Sequence, residues 1–190
     1  MAVLGRVDAT PEERAAYVKH ANAMRRAANG EGEDETVAPD AEDEAVADAA
    51  QDAPLAIERI AELGAAEQFI LTITETGFGK RSSAYEYRRT GRGGQGLTAH
   101  GLGGRAGDRL AASFPVEDSD DLLMVTSGGQ MIRTPVDQVR IVGRSSQGVT
   151  IFRTSGGEKV VSVERLPDSG GGDEADAGEV GDEAVEGGED

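Results

Sequence analysis

A mainly β fold is predicted for the middle of this chain, and three observations predict it. Short β-branched apolar runs alternate with glycine turns between Glu67 and Pro167. The same stretch aligns with itself at an offset of 52 residues. Charge divides the chain into three parts, and only the middle one has the composition to bury a core.

The chain of 190 residues carries a formal net charge of −17, with 37% hydrophobic and 4% aromatic residues. Such totals suit a single large core poorly, but they average over unlike segments. Residues 1–66 hold 6 Lys/Arg and 15 Asp/Glu, a net of −9; residues 67–167 hold 13 and 11, a net of +2; residues 168–190 hold 10 acidic groups and no basic ones, a net of −10. Exposed charges more than about 8–10 Å apart are largely screened at physiological salt. The overall acidity therefore says little about the middle segment.

Several function classes drop out early. There is no cysteine, so disulfides and thiolate zinc sites are excluded. The two histidines, His20 and His100, lack ligand spacing, so no metal site is expected. No apolar run approaches the roughly 20 residues that span a bilayer, and Met1–Asp8 offers no secretory apolar core. A cytoplasmic chain with no membrane partner and no small-molecule substrate is the expectation.

Thr10-Pro11-Glu12-Glu13 reads as a helix start. Thr10 caps, Pro11 suits the first position and Glu13 completes a capping box. Good helix formers run to Ala28, and Asn29-Gly30 is the stop. Ala16, Val18, Ala21 and Met24 make only a weak apolar stripe. From Glu31 to Ala53 the chain is mostly Asp, Glu and Ala, which cannot offset the entropy of ordering, so 31–53 is expected to be a disordered linker. Leu55, Ile57, Ile60 and Leu63, ended by Gly64, predict a second short helix. The chain thus divides into a helical segment with its linker (1–66), a β-rich pair of units (67–167) and a disordered acidic tail (168–190).

In the middle, Phe69–Thr74 ends at Gly77, Leu122–Thr126 ends at Gly128-Gly129, and Val149–Arg153 and Val160–Val163 flank Ser155-Gly156-Gly157. Short strands divided by glycine turns indicate an all-β unit. At the offset of 52, Thr74 falls on Thr126, Gly77 on Gly129, Arg81 on Arg133 and Arg88 on Arg140. Gly91-Arg92-Gly93-Gly94-Gln95-Gly96 then falls on Gly143-Arg144-Ser145-Ser146-Gln147-Gly148, a shared G-R-x-x-Q-G. A period near 50 residues characterises propeller blades, and a stable array usually needs at least three. Either the chain is a fragment or it completes itself by association.

Gly91, Gly93 and Gly96 match the bare G-x-G-x-x-G pattern, but the following Leu97–Gly104 cannot form the helix a dinucleotide fold requires. No P-loop, nucleophile elbow or kinase motif appears, so no catalytic residue is named. Tyr85 and Tyr87, alternating along a strand, read as packing residues. The glycine loop suits close approach to a polyanion: glycines clear side chains from the backbone amides, Arg92 adds a charged donor and Gln95 a neutral one. Arg88, Arg140 and Arg144 join Arg92, Gly93, Gly94 and Gln95 as DNA-binding candidates, with Lys80, Arg81, Arg89 and Arg133 behind them. On spacing alone, the same glycines could only make turns and the same arginines only solvate the surface.

These residues resemble the C-terminal domain of the DNA gyrase A subunit. The resemblance rests on Ile70–Thr74 through Arg81, Tyr85-Glu86-Tyr87-Arg88 and Gly91–Gly96, and on the second copy, Leu122–Gly129, Ile132-Arg133, Gly143–Gly148 and Glu158–Val163. It covers about 100 residues densely and Met1–Ala28 more weakly, where Val7–Tyr17 looks like an inter-blade insertion. The family's Q-R-R-G-G-K-G box has no counterpart here, and Gln95 stands where that box has lysine. His100–Asp108 is unusually glycine-rich for the family, suggesting a loosened strand between blades.

The resemblance implies a partial β-pinwheel, the last two blades or so of a six-bladed fold that wraps duplex DNA on a basic rim. It implies duplex DNA, the remainder of the A subunit and the B subunit as partners. ATP and magnesium would belong to other parts of that assembly, with no cofactor in this chain. The tail 168–190 is expected to compete with DNA for the rim. Two other readings stand beside this one. One is a structural blade module docking on another gyrase or topoisomerase IV subunit without touching DNA; the other is a remnant of a truncated or split gene.

Overall fold

A computed structural model of the chain describes residues 3–29, 55–88, 92–93, 96–154 and 156–168. The expected linker 31–53 and all of the expected tail except Asp168 lie outside the described residues.

Thr10 opens helix α1 (Pro11–Asn29) as a capping box. Glu13 N donates to Thr10 Oγ1 at 3.2 Å and Thr10 N donates to Glu13 Oε2 at 2.8 Å, so two amides without helical partners are satisfied reciprocally. Helix α2 (Ile57–Ala65) is tied to that cap, because Arg59 Nε lies 3.0 Å from Glu13 Oε1. The buried anchor of α1 is Tyr17, at 5% exposure, whereas Met24 is 62% exposed. Tyr17, Leu63 and Tyr85 form a small core, with the two tyrosine rings edge to face at 5.4 Å. The Tyr17 hydroxyl donates to Glu67 Oε2 at 2.8 Å, and Arg25 pairs with the same oxygen at 2.6 Å. The helices are thereby bolted to the entrance of the first strand.

Seven strands follow among the described residues: β1 (Phe69–Thr74), β2 (Phe78–Ser83), β3 (Leu110–Val116), β4 (Asp121–Thr126), β5 (Met131–Pro135), β6 (Val149–Thr150) and β7 (Val160–Leu166). All strand pairing within the two sheets is antiparallel, in the orders β3-β1-β2-β6 and β5-β4-β7. The mainly β architecture predicted from sequence is the one found. Three strands were not anticipated, β2, β3 and β5. Tyr85 and Tyr87 do not alternate along a strand: Tyr85 sits in a 3-10 turn, Ala84–Glu86, and Tyr87 caps it.

The repeat is structural as well as textual. Register breaks fall between Ile73 and Thr74 and again between Val125 and Thr126. The hairpin turns match: Gly77 N donates to Thr74 O, Gly129 N to Thr126 O, both at 3.0 Å, and both glycines have φ of 82°. The turn Ala84–Glu86 recurs as Val136–Gln138, entered by Ala84 N on Gln68 O in one unit and Val136 N on Asp120 O in the other. Leu71 and Ile73 from one sheet pack in a single core with Leu122, Met124, Val160 and Val163 from the other and with Val136 and Val139 of the turn after β5.

The two units also exchange a strand. β6 follows β5 in sequence, yet it pairs with β2 of the first unit, Gly79 opposite Val149 and Phe78 opposite Thr150. A parallel bridge between Arg81 and Ile141 extends the joint. The glycine-rich stretch before β3 stays irregular apart from a 3-10 turn, Gly104–Ala106, anchored where Thr76 Oγ1 donates to Ala106 O at 2.8 Å.

Candidate nucleic-acid interface

The loop between Val139 and Gly148 is held by side chains of the first unit. Lys80 is fully buried, and its ammonium donates to Gly143 O at 2.8 Å and to Arg144 O. Arg81, 5% exposed, donates from Nε to Val139 O at 2.7 Å and from Nη2 to Asp137 O at 3.1 Å, while Nη1 pairs with Asp118. Ser82 Oγ donates to Val142 O at 3.1 Å. The Glu86 carboxylate accepts from Arg144 N at 2.6 Å, and burial pushes that carboxyl above its ordinary range. Loop carbonyls that would otherwise be stranded inside the joint thus find donors from β2.

His100 closes the same joint. It is 4% exposed, with Nε2 3.0 Å from Gln147 O and Nδ1 2.9 Å from Thr72 Oγ1. A carbonyl only accepts, so Nε2 carries the proton and Nδ1 accepts from the threonine hydroxyl. Burial, with Lys80 nearby, pushes the imidazole down to about 4, so it is neutral at pH 7.

The sequence-predicted candidates therefore separate by location. Lys80, Arg81 and Arg144 are buried. Arg144 donates from Nη1 to Thr98 O and lies 6.0 Å from the Tyr87 ring centroid. Arg88, Arg92 and Gly93 are exposed, and Arg140, the counterpart of Arg88 one repeat later, is half-buried. Gly93 has φ of 78°, and among the described residues no heavy atom lies within 4 Å of where its Cβ would stand. Arg133 lies on β5, exposed and paired with Asp121 at 2.6 Å. Arg89, Gly94 and Gln95 lie outside the described residues. Sequence reasoning missed Glu86, His100 and Ser82 as holders of the loop. It also passed over Arg105, Arg109 and Arg153, exposed cations near the other end of β1 and β2. Among the described residues no group of three or more His, Cys, Asp or Glu could hold a metal ion, and no helix is long and apolar enough to cross a membrane.

Tandem antiparallel units that share a strand across their joint, each with a G-R-x-x-Q-G segment, define a β-propeller blade pair. A family model described as DNA gyrase C-terminal domain, beta-propeller, matches residues 68–117 and 120–167, and the chain belongs to that family. It is 50% identical over 183 residues to the DNA gyrase A subunit of Granulibacter bethesdensis, covering 93% of this chain and 19% of that protein. It is 39% identical over 179 residues to the same subunit of Rickettsia bellii, covering 93% and 18%. The chain thus spans about a fifth of the length of these curated relatives. A solved DNA gyrase A C-terminal domain aligns with 53% of this chain and 34% of that one, at 22% identity and a TM-score of 0.49.

Proposed function

We propose that the blade pair binds duplex DNA through its phosphates, without reading sequence, as the C-terminal part of a gyrase A subunit in the cytoplasm. The observation that carries this reading is the exposed pair Arg88 and Arg92 with the exposed Gly93, on a family fold whose members are gyrase subunits. Guanidinium groups donate to phosphate oxygens in pairs, and amides free of side-chain bulk add donors at close range. In this reading Arg88, Arg92 and Arg140 make the contacts, with Arg89, Gly94 and Gln95 beside them. Lys80, Arg81 and Arg144 act indirectly, by fixing the loop that carries Arg140. The rest of the A subunit and the B subunit are the protein partners; ATP and magnesium act there and not on this chain. The bound duplex supports supercoiling by being wrapped.

Fluorescence anisotropy of the full chain on a plain duplex, titrated over salt, tests the proposal. With about three phosphates contacted, affinity should fall roughly 40-fold between 50 and 200 mM salt, and Arg92→Ala should reduce the log–log slope by about 0.9. An affinity indifferent to salt would overturn it and favour a protein-docking module.

A further inference from the structure

Helix α1 carries its charge unevenly. Glu12 and Glu13 lie in its first turn, whereas from Arg14 to Asn29 it has four Lys or Arg and no Asp or Glu. Two of those four cations serve the fold. Arg14 donates from Nη2 to Val7 O at 3.1 Å, and Arg25 pairs with Glu67 and lies 5.4 Å from the Phe69 ring centroid. The other two, Lys19 and Arg26, are exposed, and no hydrogen bond or ion pair among the described residues engages either. They are seven positions apart, which is two helical turns, so they share one line of the surface about 10 Å apart. Ala23 stands between them on that line, also exposed and too small to hold a partner off. Glu12, the nearest acid of α1 on the same line, lies two further turns toward the N-terminus.

The helix is docked on the blade. Tyr17 and Arg25 both engage Glu67 at the entrance to β1, and Arg59 holds the first turn through Glu13. Arg25 and Arg81 share the Phe69 ring, at 5.4 and 5.8 Å, so the later turns of α1 lie over the first residue of β1. Phe69 is paired with Ser83, where β2 ends. The chain then makes the turn Ala84–Glu86, on which α1 also packs, and reaches Arg88 two residues later. The exposed line of α1 therefore borders the end of the sheet from which the candidate arginines depart.

We infer that Lys19 and Arg26, with Ala23 between them, form a second contact surface for duplex DNA, taking backbone phosphates beside those held by Arg88 and Arg92. The occupant is a polyanion because two exposed cations, engaged by no acid, flank a small side chain on a helix whose orientation is fixed. Lysine and arginine donors reach phosphate oxygens without reading bases, and a regular row of phosphates suits cations held at a set spacing. The inference rests on the DNA-binding reading and extends its surface from the blade onto the helical segment.

Fluorescence anisotropy of the full chain on a plain duplex, with the salt titration repeated for three double variants, tests this. Contacts from Arg88, Arg92 and Arg140 alone give a roughly 40-fold fall in affinity between 50 and 200 mM salt, and two more from α1 make it roughly 500-fold. Lys19→Ala/Arg26→Ala should return the fall to roughly 40-fold, a log–log slope shallower by about 1.8. Alanine favours helix at both positions, so the circular dichroism spectrum should not change. Lys19→Arg/Arg26→Lys should keep the wild-type slope. Arg6→Ala/Lys159→Ala removes the same charge from cations already paired with Asp8 and Glu75, and should keep it too. A slope lowered by Arg92→Ala but untouched by Lys19→Ala/Arg26→Ala would overturn this inference alone, and assign the two cations to the acidic residues that follow α1 in sequence. Equal losses from both alanine pairs would overturn it as an effect of net charge. A wild-type affinity indifferent to salt would overturn both readings, whereas a slope lowered by the α1 pair and not by Arg92→Ala would sustain this one and overturn the loop arginines.

Discussion

The ammonium of Lys80 and the carbonyl of Gly143 lie 2.8 Å apart across the joint between the blades, with the lysine wholly buried. A cation from β2 thus completes the hydrogen bonding of a loop 63 positions away. The substitution Lys80→Met keeps the bulk and removes the donor, leaving the carbonyls of Gly143 and Arg144 without it. Urea denaturation should show a loss of roughly 1–3 kcal/mol, because hydrogen bonds to charged groups are worth about that much. The salt slope of DNA binding should stay unchanged; a shallower slope with native stability would mean that Lys80 contacts phosphate directly.

Arg81 should not tolerate lysine. Its guanidinium serves Val139 O, Asp137 O and the Asp118 carboxylate at once, a geometry only a planar fork supplies. Arg81→Lys is expected to lose roughly 2–4 kcal/mol, since truncating one partner of a buried network strands the others. Thermal denaturation of the two proteins side by side measures this. Equal melting temperatures would show that the fork is dispensable.

Stability should fall as the solution is acidified from pH 6.5 toward 4. Unfolded His100 titrates near 6.5, whereas the native imidazole resists protonation until about 4. Across that window the unfolded chain binds the extra proton, so the native state loses roughly 3 kcal/mol on descending through it. Glu86, whose carboxyl is raised by burial, acts in the opposite sense and partly offsets the loss at the acid end. The substitution His100→Phe, the residue the second repeat carries as Phe152, should flatten the pH dependence of the urea midpoint. An unaltered dependence would place the responsible group elsewhere.

Two glycines that look alike in sequence should respond differently to alanine. Gly148→Ala meets both a φ of 73° and the Gly79 carbonyl at 2.5 Å, so a loss above about 2 kcal/mol is expected. Gly96→Ala meets the φ of 80° alone and should cost about 1–2 kcal/mol in a single chain. Denaturant midpoints at low protein concentration compare them, and equal losses would show that the carbonyl contact contributes nothing.

Much of the fold was readable because it is local. The capping box of Thr10 and Glu13, the runs that became β1 and β4, and the offset of 52 are visible to anyone holding the sequence. What stayed hidden depends on tertiary partners. Phe78-Gly79-Lys80-Arg81-Ser82-Ser83 has no apolar alternation, yet it forms a strand buried along most of its length. Its polar side chains can go inside only because backbone carbonyls from the other blade receive them, and carbonyls leave no trace in composition. For the same reason Lys80, Arg81 and Arg144 read as a rim before the structure placed them within the joint. Arg88 and Arg92 are exposed among the described residues.

The borrowed strand has a consequence for how the chain is made. Gly79 waits for Val149, its neighbour in the sheet, 70 positions downstream. At a synthesis rate of about 5–20 residues per second, that residue is added roughly 4–14 seconds later, and the second blade is then largely translated. The first blade therefore spends its early life with an open flank, and the order of synthesis makes its completion an event of the following blade. Chaperone occupancy and the pace of codons between β2 and β6 would act on that interval.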